Sequence, residues 1–193
     1  MDKIQKLQRA LATLLVGMMA AGCAREKPLT HNPSQLFQRG KELWIILIAE
    51  DMPIEGSELA SLWPEKGKYE SSTSFFVKLT EQGSLDFAYT FFAGSGLTAA
   101  TGATLLAENN AWCMKAGITS DFKSYAPVLF TRNLHFMVED GTVTAKLRND
   151  QLRLGKNAIL LTYGGTARIM NTSQLADYAK QLKPSDVQDV LRP

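Results

Sequence analysis

The chain is short of the residues that build covalent or metal-bound sites. Among its 193 residues there are two cysteines, Cys23 and Cys113, and two histidines, His31 and His135. No CxxC pair or Cys/His cluster occurs, so zinc has too few ligands to draw on, and if Cys23 is modified Cys113 has no partner left for a disulfide. Net charge is equally scarce. Residues 1–22 hold Lys3, Lys6 and Arg9 against Asp2, so of the 21 Lys+Arg and 19 Asp+Glu, eighteen of each remain in the rest of the chain. A neutral body lacks the basic excess of a nucleic-acid binder or a polybasic membrane patch. Also missing are a GxSxG elbow, an HExxH helix, an EF-hand loop and a Walker loop. Apolar residues are not missing: 45% hydrophobic against 21% charged is the balance of a folded protein rather than a disordered one. The length suits one core and is too short for two large ones.

The remaining candidates for chemistry are few. Gly94-Ser95-Gly96 is a glycine-rich word among apolar residues, but it has neither the following Lys nor the GxGxxG spacing of a phosphate cradle. Ser95 and His135 are the Ser/His pair to weigh for acyl transfer, and no spacing supports it. His135, in Asn133-Leu134-His135-Phe136, reads as a strand-edge residue with one hydrogen-bonded nitrogen. Glu139-Asp140-Gly141 offers two carboxylates where calcium takes six to eight ligands, and a hairpin turn accounts for Asp-Gly without a metal. Cys113, in Ala111-Trp112-Cys113-Met114, reads as a small buried hydrophobe. The sequence therefore yields no catalytic residue, no metal site and no cofactor.

The N-terminus carries the clearest signal. Basic Lys3, Lys6 and Arg9 precede an uncharged run over residues 10–21, ALATLLVGMMAA. Such a run fits the roughly 7 to 15 residues of a signal-peptide core and falls short of the ~20 needed to span a bilayer as a helix. It ends in Ala20-Ala21-Gly22-Cys23, which resembles the lipobox of bacterial lipoproteins, with Ala20 where those proteins usually have Leu. The resemblance implies cleavage between Gly22 and Cys23 and lipidation of Cys23; the alternative is an ordinary small-x-small cleavage site near an unmodified Cys23. Several acyl chains on one mature N-terminus give stable anchoring. The expected organisation is a signal peptide over 1–22, a lipidated tether over 23–33, polar and holding a solvated His31, and a globular domain over 34–193.

Within the domain, Asn32-Pro33 is a cap followed by a first-turn proline, and the apolar spacing predicts a helix over 34–51 interrupted by Gly40. Residues 52–69 read as loop, with a short helical turn at 58–62. A second helix starts at Ser72 or Thr73 under a Ser/Thr cap and runs to Gln82, buries Phe75, Phe76 and Leu79, and stops at Gly83. Residues 85–92 read as strand or loop entry. Strands are expected at 110–118, 126–132 and 141–147, then a hairpin of 157–163 and 166–170 about Gly164-Gly165. An amphipathic helix at 173–182 and a capped last turn opened by Ser185-Asp186-Val187-Gln188 give a helical tail. Segregated helices and strands make the fold class α+β.

Several words across 34–170 extend this reading: Leu62-Trp63-Pro64, Ser71-Ser72-Thr73-Ser74-Phe75-Phe76, Phe91-Phe92-Ala93-Gly94, Glu108-Asn109-Asn110-Ala111-Trp112-Cys113, Leu129-Phe130-Thr131-Arg132-Asn133-Leu134, and the hairpin NAILLTYGGTARIM. Together they resemble the globular part of type II secretion pseudopilins, in particular the enlarged set in Verrucomicrobia. The resemblance implies a pilin-like fold, an N-terminal helix packed on an antiparallel β-sheet, and other pseudopilins or secretion components as partners. Pilin-like proteins begin with Gly-Phe, a Glu five residues into the mature chain and a long apolar helix, whereas Gly17-Met18 is followed by no such Glu. The resemblance therefore stops short of implying filament assembly. The expected function is an envelope-anchored structural or interaction protein in the membrane facing the periplasm. The alternatives are a minor pseudopilin with a degenerate N-terminus or an exported binding protein, with a periplasmic hydrolase as a third class.

Overall fold

The computed structural model describes residues 33–49, 63–100, 104–119 and 122–193. The expected signal over 1–22, Gly22, Cys23, the tether through Asn32 with His31, and the helical turn at 58–62 lie outside them. The first helix, α1, is Pro33–Ala49. Leu36, Gly40, Leu43 and Leu47 are buried at helical spacing, so one face of α1 lies on the sheet. The expected interruption at Gly40 is absent. A Cβ there would overlap the ring of Trp112 and lie 3.1 Å from Leu161 Cδ1, so Gly40 is the point where the helix backbone closes on the sheet rather than a break in it.

The second helix, α2, is Ser72–Glu81, and it buries Phe75, Phe76 and Leu79 as expected. Ser71 caps it reciprocally: Ser74 N donates to Ser71 Oγ at 3.1 Å and Ser71 N to Ser74 Oγ at 3.2 Å. Gln82 is the C-cap and Gly83 follows with φ +73°, the left-handed turn that glycine adopts without strain. Residues 89–92 form a 3-10 turn, Tyr89–Phe92, rather than a strand.

A five-stranded antiparallel sheet has the order β6-β5-β2-β1-β7, made of β1 Trp112–Lys115, β2 Pro127–Thr131, β5 Asn157–Thr162, β6 Ala167–Asn171 and β7 Val190–Leu191. Strands β3 Leu134–Glu139 and β4 Thr142–Leu147 form a separate hairpin. Its turn is Asp140-Gly141, both at positive φ, 49° and 75°, so these residues serve a tight hairpin turn. Strand β1 is shorter than the expected 110–118. Asn110 Oδ1 takes the Trp112 N–H at 2.9 Å, and Gly117 N donates to Pro64 O at 2.8 Å, which turns both flanks out of the ladder. The β5-β6 hairpin forms as read, with Gly164 and Gly165 in its connection, closed by Gly165 N to Thr162 O at 2.9 Å.

The sheet is covered on both faces. Trp112, Met114, Leu129, Ile159 and Leu161 pack with α1 and α2 in one cluster; Cys113, Phe130, Ala158, Leu160 and Met170 pack with the β3-β4 hairpin and a third helix in another. That helix, α3, is Thr172–Ala179, shorter than the expected 173–182 at its C-terminal end, and a fourth, α4, is Pro184–Val187. The fold is α+β with an antiparallel sheet. The purely helical tail is corrected: Asp189 takes φ 54° and the chain leaves α4 to pair Val190 with Lys115 and Leu191 with Met114. The cap of α4 also differs, since Asp186 Oδ2 accepts from Lys183 N at 2.8 Å. No helix among the described residues is long and apolar enough to cross a membrane.

Candidate functional site

Alternation along β1 sends Trp112 toward α1 and Cys113 toward the β3-β4 hairpin. Cys113 is fully buried, and burial pushes its thiol up to about 12, outweighing the nearby Arg192 and Arg132. A nucleophilic cysteine needs the opposite shift, so the side chain acts as the buried hydrophobe expected of it. His135, in β3, has its Nε2 3.2 Å from Arg192 Nη1. A guanidinium has no acceptor, so Nε2 accepts and the ring proton is assigned to Nδ1. The same Arg192 nitrogen reaches Leu134 O at 3.5 Å and Cys113 Sγ at 3.7 Å. Burial first, then Arg192 and Arg148, hold His135 down at about 4, which makes it a weak base at neutral pH.

Leu97, beside Ser95, packs in the cluster of α1 and α2, whereas Leu134 and Phe136, which flank His135, pack in the cluster on the other face of the sheet. The Ser95 loop lies along residues 151–153, with Arg153 N donating to Ser95 O at 2.7 Å, and a Cβ on Gly94 would lie 3.0 Å from Leu36 Cδ2 of α1. The loop's glycines serve close packing there. The Ser95 and His135 pair considered for acyl transfer is not brought together.

Sequence reasoning overlooked three cations that the fold draws inward. Lys115, with its side chain 4% exposed, donates to Gln188 O at 2.6 Å, lies 3.9 Å from Asp189 and sits over the Phe122 ring. Burial lowers its pKa and Asp189 opposes the shift. Arg39 of α1 donates to Ala93 O at 2.8 Å and Thr90 O at 3.2 Å, closing the carbonyl end of the 3-10 turn. Arg132 joins Asp150 at 3.1 Å and donates to Ala107 O and Asn110 O. All three fasten loops and the C-terminal strand to the core. The one local signal was Lys115 closing the otherwise apolar word Trp112-Cys113-Met114.

An open surface lies at the far edge of the sheet. Strand β6 has β5 on one side and, among the described residues, no strand on the other, and α3 begins directly after it. Asn171 caps that helix, accepting from Gln174 N at 3.0 Å while its own N–H donates to Gln174 Oε1 at 2.9 Å. Between them runs a groove of about 530 Å³, lined by Arg168, Ile169 and Met170 on the strand and by Gln174, Asp177, Tyr178 and Gln181 beside it. Tyr178 is anchored, donating to Tyr125 O at 2.6 Å, and burial raises its pKa. Asp177 pairs with Lys180 at 2.8 Å. Arg168 forms no ion pair among the described residues, and Ile169 is 42% exposed. One cation, amides, a paired carboxylate and an apolar side chain make a surface suited to recognition of another chain. Its position depends on strand order, which no local word encodes. Compared with protein-family models, curated proteins and solved structures, the chain gives no match.

Proposed function

We propose that this chain is an exported structural or interaction protein of the cell envelope, held in the membrane by lipid on Cys23 and carrying a pilin-like body related to type II secretion pseudopilins. The observation that carries the body of this reading is the seating of α1 on one face of an antiparallel sheet, with Gly40 closed on Trp112. A pseudopilin packs the exposed half of its N-terminal helix in this way. The signal-like residues 1–22 and the lipobox-like Ala20-Ala21-Gly22-Cys23 support the envelope placement. The reading assigns no catalytic residue, cofactor or metal, and names other pseudopilins or secretion components as partners, with no nucleic acid among them.

Expression in a two-membrane bacterium with labelled palmitate tests the anchor. The wild-type chain is expected to take up label and fractionate with membranes, while Cys23→Ser takes up no label and keeps residues 1–22. An unlabelled wild-type protein, or label that Cys23→Ser retains, overturns the lipid anchor.

A further inference from the structure

Among the described residues no strand pairs with the outer side of β6, Ala167–Asn171. The Thr162 N to Thr166 O bond sets the ladder parity, so Ala167, Ile169 and Asn171 turn their backbone groups outward. Gln174 Oε1 takes the Asn171 N–H, and extended polypeptide is the chemistry that matches the outward groups of Ala167 and Ile169. We propose that β6 and the groove beside α3 receive an extended segment of a partner protein as a sixth strand, with a carboxylate facing Arg168 and an apolar side chain facing Ile169. The proposal rests on the reading of the chain as an interaction protein and names the chemistry of its partner.

Register decides which side chains the added strand meets. Ile169 stands opposite Ile159, on the α1 face, while Arg168 and Met170 stand opposite Leu160 and Ala158, on the α3 face. A strand laid on β6 repeats this parity. One set of its side chains runs beside Ile169, and the alternate set enters the groove beside Arg168 and Met170. Within the groove Asp177 is held by Lys180, so the unbalanced charge is Arg168, which selects an acidic residue at that position. A second copy of β6 fits less well: Ala167-Arg168-Ile169-Met170-Asn171 contains no carboxylate and adds another Arg168.

The test uses the full chain in detergent with two short, end-capped, fluorescein-labelled peptides, one alternating valine with aspartate and the other alternating valine with lysine. Anisotropy at low salt is expected to show the acidic peptide binding about tenfold or more tighter, as expected for charge complementarity against like-charge contact. Hydrogen exchange is expected to slow at the outward amides of Ala167 and Ile169. Arg168→Glu, an exposed substitution whose folding is checked by circular dichroism, should reverse the preference. Equal binding of both peptides, no binding, a preference that Arg168→Glu leaves intact, or protection elsewhere overturns the proposal and leaves Arg168 as a guard against edge pairing. A dimer whose interface protects 167–171 assigns the edge to a second copy and overturns it too. None of these outcomes depends on whether Cys23 carries lipid, so failure here is distinct from failure of the anchor.

Discussion

Arg192 reaches from the last strand to the imidazole of His135, 3.2 Å away, and this contact survives only while Nε2 is unprotonated. Desolvation is the larger cause of the depressed His135 pKa and Arg192 the second. The folded value lies near 4 against an ordinary 6.5. The unfolded chain therefore binds the proton first, and the stability contributed by neutral His135 is present above 6.5 and lost as pH falls toward 4. An NMR titration of the His135 ring should give a midpoint near 4. Arg192→Gln should raise it toward the ordinary value without reaching it, because burial remains. A wild-type midpoint at the ordinary value would contradict this geometry.

At the scale of elements, α1 is held by the absence of a side chain at one position. Gly40→Ala would place a methyl group in the Trp112 ring. Overpacking of this kind costs about 1–3 kcal/mol, and the gain in helix propensity returns at most about 1 kcal/mol. The variant is expected to unfold at lower urea concentration than wild type, while Gln38→Ala, on the exposed side of the same helix, stays near it. A stabilised Gly40→Ala protein would show that α1 does not sit this close to β1. The same glycine shows where sequence reading stops. Periodicity located the start of α1 and both ends of α2 to within one residue, and Gly-Gly and Asp-Gly located both hairpin turns, because these signals are local. A glycine that breaks a helix and one that admits a tryptophan look alike in sequence, since the difference lies in a residue 72 positions away. Strand β1 was overextended for a related reason: its ends are set by the Asn110 side chain and by Pro64 O.

For the whole molecule, the sheet buried on both faces follows from strand order, and strand order was not legible. The two-residue β7 is the clearest case. Val190 and Leu191 are too short a run to read as a strand and become one because Lys115 and Asp189 fasten the chain end beside β1. The open edge at β6 is likewise a consequence of which strand ends the sheet, so the groove could not be read from its own residues. The export signal proposed from residues 1–22 lies outside the described residues. The account's central claim is that a folded α+β body is held at the envelope by lipid on Cys23, and mass spectrometry of the mature N-terminus tests it most directly. The account predicts a chain that begins at Cys23 and carries a diacylglyceryl group on its thiol. A chain cut elsewhere with Cys23 unmodified, or one with a methylated pilin-type N-terminus, would contradict it.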